Sequence, residues 1–138
     1  MILVLRIAGL VEIDQDLEEA FRRIHLHRKY TATFLEDTPA NKALLQKLRN
    51  CIAFGIPDKA LITELITQRG KGIANKKFDA AKVVEQFGKK SLQDLGVKPF
   101  FALHPPCGGI DSKVHYPMRK GVLGDHHDKI GVLIRRML

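Results

Sequence analysis

The chain opens on Ile2-Leu3-Val4-Leu5-Arg6-Ile7, an apolar run closed by Gly9. Apolar residues at successive rather than alternate positions predict a strand covered on at least one face and a candidate for the centre of a sheet. Leu17, Ala20, Phe21 and Ile24 then recur at i, i+3, i+4 and i+7 behind Asp14, the pattern of a capped helix with one buried stripe. Its acids (Asp14, Asp16, Glu18, Glu19) come early and its cations (Arg22, Arg23, Arg28, Lys29) late, which complements the helix dipole and leaves a basic end. Thr31 to Glu36 alternates apolar and small polar residues, as a half-buried strand does. Asp37-Thr38-Pro39 marks a second helix start, because Asp or Thr caps free N–H groups and proline at the first helical position lacks a donor that would go unused. Leu44, Leu45 and Leu48 supply that helix's apolar side, and Cys51-Ile52-Ala53-Phe54 before Gly55 predicts a third short strand. Residues 1–55 thus read as β-α-β-α-β, with helices on one face of a three-stranded sheet sharing a single core of the α+β kind.

After Ile56-Pro57 the pattern turns helical, and residues 56–138 read as a helical extension. Asp58 caps a stripe of Leu61, Ile62, Leu65 and Ile66, Asp79 caps one with Val83, Val84 and Phe87, and Ser91 caps a turn that ends at Gly96. Pro99 to Leu103 predicts a short extended segment. His104-Pro105-Pro106-Cys107-Gly108-Gly109 and the irregular basic stretch after it form an arm rich in Pro, Gly and cations, a composition that persists when a partner orders it. A last helix, capped by Asp125, places Ile130, Leu133, Ile134 and Met137 on one face that docks against the body.

Charge adds a partner class. The 138 residues carry a formal charge of +8, and the excess lies after residue 50. Such a field favours nucleic acid or an anionic membrane surface. Membrane binding has no support: the opening apolar run meets Arg6 at once and is too short for a span or a signal segment. Two cysteines, Cys51 and Cys107, make neither a disulfide framework nor a metal tetrad and point to a reducing, cytoplasmic setting.

Candidate chemistry is weak throughout. Arg69-Gly70-Lys71-Gly72-Ile73-Ala74-Asn75-Lys76-Lys77 superficially resembles a phosphate-cradling loop, but it lacks the P-loop spacing and follows a helix rather than a strand. Its cations and glycines still suit RNA phosphates. The alternative it leaves open is a small enzyme or binding module for a phosphorylated ligand. His104, Cys107, His115, His126 and His127 could be drawn as a zinc site, but the ligand spacing is wrong and adjacent His126 and His127 diverge on a helix. Imidazoles and Tyr116 serve equally as stacking or phosphate contacts. Cys107 with His104 lacks any oxyanion hole, and Asp125 with Asp128 reads as a helix start rather than an acid–base pair. Neither an enzyme signature nor a cofactor or metal requirement is indicated.

Three blocks carry a resemblance spanning nearly the whole chain: Leu5-Arg6-Ile7-Ala8-Gly9 with Leu26-His27-Arg28-Lys29; Asp37-Thr38-Pro39-Ala40-Asn41-Lys42 through Ala53-Phe54-Gly55; and Leu103-His104-Pro105-Pro106 with Gly108-Gly109, Gly121, Leu123-Gly124 and Ile134-Arg135-Arg136-Met137. Together they resemble the ribosomal large-subunit proteins of the L-thirty family in its archaeal form, related to the eukaryotic large-subunit protein numbered seven. Ala43 stands where that family usually has Gly, and Cys107 where it usually has a cation. His126-His127 and Gly131 depart from its usual tail.

The resemblance implies a three-stranded antiparallel sheet of ferredoxin-like character, ordered 3-1-2. It also implies a noncatalytic, structural role in the ribosome: binding large-subunit rRNA near the 5S rRNA, among other large-subunit proteins, with no small-molecule substrate. The expected RNA contacts are Arg28, Lys29, Lys42, Lys47, Arg69, Lys71, His104, Lys113, His115, Arg119 and Lys120, with Thr38 and Asn41 giving neutral hydrogen bonds. Phosphate and sugar contacts dominate such binding.

Overall fold

The computed structural model describes residues 1–9, 11, 13–75 and 78–138. The strands are β1 (Ile2–Arg6), β2 (Thr31–Leu35), β3 (Ile52–Gly55), β4 (Phe100–Ala102), β5 (Ser112–His115) and β6 (Gly121–Asp125). The α-helices are α1 (Gln15–Arg23), α2 (Pro39–Leu48), α3 (Lys59–Arg69), α4 (Ala80–Gln86) and α5 (Ile130–Arg135). The architecture is mixed α+β, and the first half follows the β-α-β-α-β order the pattern predicts. β1 is central, antiparallel to β2 through Ile2↔Leu35 and to β3 through Arg6↔Ile52. Thr38 caps α2, its side chain accepting from Asn41 N at 3.2 Å, with Pro39 at the first helical position.

Several expectations are corrected. The sheet has six strands, not three, in the order β4-β2-β1-β3-β6-β5, so the segment after residue 55 is not purely helical. β4 pairs antiparallel with β2, and β6 adds in parallel to the far edge of β3 through Ala53↔Gly124 and Phe54↔Asp125. An uncovered β3 edge would leave a row of backbone donors and acceptors unpaired, and β6 fills it. Gly55 has no room for a side chain there, since a Cβ would run into the His127 carbonyl and Ile130.

Helices cover both faces of the sheet rather than one, giving two cores. Side chains alternate across a strand, so Ile2 and Val4 pack with Phe21, Leu26, Leu45 and Leu48 from the α1 and α2 side. Leu3, Leu5 and Ile7 pack with Leu61, Leu65, Phe101, Ile130 and Ile134 from α3, β4 and α5. The unbroken apolar run of β1 is what a strand buried on two faces needs. Ile130, Leu133, Ile134 and Met137 are all buried, so the last helix docks. It begins later than expected: Asp125 ends β6 and its carboxylate accepts from His127 N at 2.8 Å, starting a 3₁₀ turn (His127–Lys129) that leads into α5.

Candidate nucleic-acid interface

The expected contact residues divide between the two ends of the sheet. Where β1 finishes, Arg6 is buried within the apolar run and its guanidinium is spent on the backbone. It donates to the carbonyls of Leu26 at 2.6 Å, Gly9 at 3.0 Å and Ala8 at 3.2 Å, and lies over the Phe21 ring at 4.1 Å. Tyr30 N donates to Arg6 O at 2.8 Å, so one residue ties the exit of β1 to the loop before β2. Burial pulls the Arg6 pKa down from its usual value, opposed by the field of Cys51. Burial likewise pushes the Cys51 thiol up, with the Arg6 charge pulling the other way.

The loop fixed by Arg6 carries Arg28 and Lys29, both exposed, with Lys29 Nζ 4.8 Å from the Tyr30 ring. Lys29 faces a cleft of about 280 Å³ whose walls are Ile7, Ala8, Gly9 and Leu123 and whose other polar rims are Asn50 and Lys113. Asn50 Oδ1 lies 3.0 Å from His115 Nε2, which places the β5 residues Lys113 and His115 beside Lys29. Lys47, in the last turn of α2, and the Arg119-Lys120 turn that leads into β6 are exposed too. Among the described residues, none of Arg28, Lys29 or Lys113 has an acid within 4.0 Å, whereas Arg22, Arg23, Lys42, Lys82 and Arg135 do. Two unpaired ammonium groups at one cleft have the charge that suits an anion such as a phosphodiester.

The opposite end is built differently. Thr38 is engaged as a helix cap, Asn41 Nδ2 donates to Glu36 O at 2.9 Å, and Lys42 pairs with Asp37 at 2.8 Å. The Lys42 contact holds the Asp37 carboxyl below its usual range. Asp37, Lys42, Asp125 and His127 line one shallow cavity there. The three expected contacts at this end therefore already have intramolecular partners, with acids around them.

The arm is held along α5. Leu103 N donates to Tyr30 O at 2.9 Å and His104 N to Met137 O at 3.0 Å, so the exposed His104 leaves from the Lys29 loop. Arg136 donates to Cys107 O (2.8 and 3.0 Å) and to Gly109 O at 2.7 Å, while Cys107 N donates back to Arg136 O at 2.8 Å. Arg69 donates to a backbone oxygen of Leu138, and its Nε is buried without a partner among the described residues. Lys71 is exposed, its carbonyl accepting from Lys98 N at 2.8 Å; Lys76 and Lys77 lie outside the described residues.

Asn50, Arg6 and Arg136 are the residues the sequence reading missed. An arginine inside an otherwise apolar strand was the available signal for Arg6; nothing local marks the other two. Among the described residues no three His, Cys, Asp or Glu side chains are placed to hold a metal ion, and no helix is long and apolar enough to cross a membrane.

No family model matches the chain. Whole-length relatives do. It is 33% identical to large ribosomal subunit protein uL30 of Archaeoglobus fulgidus, with 99% of each chain covered. It is 32% identical to the protein of the same name from Methanobrevibacter smithii over the full length of both. That of Aeropyrum pernix is 30% identical, with 98% of this chain and 97% of the relative covered. None of these names lends support to an enzyme or a phosphorylated-ligand module.

Proposed function

This chain belongs to the family of large ribosomal subunit protein uL30, and on that premise we propose that it binds rRNA through the basic end of its sheet. It is a structural constituent of the large ribosomal subunit and works at the ribosome in the cytoplasm. The observation that carries the RNA reading is the convergence of Lys29 and Lys113, distant in sequence, on one cleft without acid partners. Arg28, Lys47, His115, Arg119 and Lys120 extend that surface, and His104 marks where the arm leaves it. Phosphates tracking across several cations supply affinity, and the shape of the folded RNA supplies selectivity.

Residues 1–55 act in this reading as the RNA-anchoring core, and 56–138 as an extension that completes the sheet edges and presents the arm. The site lies near the 5S rRNA, and the role is noncatalytic. Co-sedimentation of the full chain with large-subunit particles, followed by mapping of protein–RNA crosslinks, tests this. Crosslinks from Lys29 and Lys113 to rRNA are expected; crosslinks confined to the Asp37 and Asp125 end would contradict it.

A further inference from the structure

A second cleft, of about 380 Å³, lies between the β5–β6 segment and α5, within the roughly 300–1,000 Å³ range of small-ligand sites. Tyr116 and His126 line it as a stacked pair, with ring centroids 4.4 Å apart and planes 24° from parallel. His126 is held in place: Nε2 donates to Val122 O at 2.9 Å, and burial pulls its pKa down. The neutral ring therefore keeps Nδ1 as an acceptor. Val122 and Leu133 supply an apolar floor, and Val132, an α5 residue, is 67% exposed beside it. The rim is basic. Lys120 and Lys129 are exposed and have no acid within 4.0 Å among the described residues, and Asp111 is the one carboxylate lining the cleft.

One aromatic wall, an apolar floor and a rim of ammonium groups match the chemistry of a nucleotide: a planar ring to stack on the wall and a phosphodiester to hold outside. We infer that this cleft takes one unpaired base of RNA, extruded from its stack, with Lys120 and Lys129 on the flanking phosphates and Asp111 accepting from a 2′-hydroxyl or exocyclic amine. The inference rests on the RNA-binding reading above and shares only Lys120 with it. An apolar side chain from a neighbouring protein would fill the floor, yet it would leave both lysines unanswered.

The test uses the full chain and two probes: an eight-nucleotide oligoadenylate carrying one 2-aminopurine, and protein-free large-subunit rRNA. The chain has no tryptophan, so 2-aminopurine fluorescence can be read without interference. Stacking in the cleft quenches the probe. Tyr116→Ala is expected to remove the quench and weaken oligonucleotide binding about tenfold, in line with the loss of one base–aromatic stack. Val132→Glu, at an exposed position that leaves both cores intact, is expected to weaken it similarly and so covers the case in which Tyr116→Ala fails to fold.

Lys29→Ala with Lys113→Ala is expected to lower rRNA affinity and leave the quench unchanged. Wild-type quench and affinity in both cleft variants overturn the inference while leaving the basic-end reading standing. A quenched oligonucleotide with no rRNA affinity overturns the basic-end reading instead. Crosslinks from Lys120 and Lys129 to protein rather than RNA in the assembled subunit reassign the cleft and overturn the inference.

Discussion

Replacing Arg6 should cost more than any other single surface or strand cation, and it should disable the RNA site from a distance. The Arg6 side chain is almost fully buried and donates three hydrogen bonds to carbonyls of Leu26, Ala8 and Gly9. Hydrogen bonds to a charged group contribute about 1.5–3 kcal/mol each. Three of them give a gross loss of about 5–9 kcal/mol. Two of the carbonyl contacts are only part-buried, so water replaces them in part, and removing the guanidinium also removes its desolvation cost. Arg6→Met keeps the aliphatic volume and should therefore cost about 3–5 kcal/mol net.

For a chain of this size that corresponds to a fall in Tm of roughly 10–15 °C. Urea unfolding followed by circular dichroism gives the free energy directly, with the slope unchanged if the native state stays compact. Arg6→Lys should recover only part of the loss, because one ammonium cannot reach three divergent carbonyls. Binding to rRNA should fall even well below the transition, since Ala8, Gly9 and Lys29 are placed by the lost contacts. A cost under about 1 kcal/mol for Arg6→Met would refute the claim that this residue clamps the site.

Other perturbations separate structural from binding roles. Gly121→Ala would drive a methyl into the Val114 carbonyl; a loss of about 1–3 kcal/mol together with weaker RNA binding is expected, read by thermal melts and filter retention. Glu64→Gln breaks an exposed pair with Arg135 at 3.2 Å and should change stability by less than about 1 kcal/mol in urea titrations. His126 is pulled below its usual pKa first by burial, so the unfolded chain takes up a proton that the folded chain refuses. The stability this provides is present above the unfolded-state pKa near 6.5 and is lost as pH falls through the folded value. His126→Gln should flatten that acid-side loss in unfolding curves measured from pH 7.5 downward.

Local signals in the sequence were enough for β1, α1, α2, β3 and α3: the two strands are apolar runs closed by a glycine, and the three helices combine an apolar period with a capping or proline signal at the start. They failed at β5 and β6. Gly121-Val122-Leu123-Gly124-Asp125 has two glycines in five residues, and Ser112-Lys113-Val114-His115 has one apolar residue in four. Both have poor intrinsic strand character; β6 is a strand because the β3 edge offers backbone partners, and β5 because β6 then offers its own free edge. The site shows the same divide. A basic end at Arg28-Lys29 was legible from the charge order along α1. The meeting of Lys29 with Lys113 and Asn50 depends on where β6 pairs, which is long-range information. The capping role of Thr38 was visible locally, whereas the bond from the Asn41 side chain to Glu36 O was not; both side chains are already partnered within the chain.

On the proposed reading, phosphate is met at the end of the sheet where β1 finishes and not at the other. The salt dependence of binding to protein-free large-subunit rRNA measures it most directly, because each neutralised phosphate contributes about 0.7–0.9 to the slope of log K against log salt. Lys29→Ala combined with Lys113→Ala should lower that slope by about 1.4–1.8, while Lys42→Ala, already paired with Asp37, should leave it unchanged. Equal slopes for wild type and the double variant, or a loss seen only with Lys42→Ala, would contradict the account.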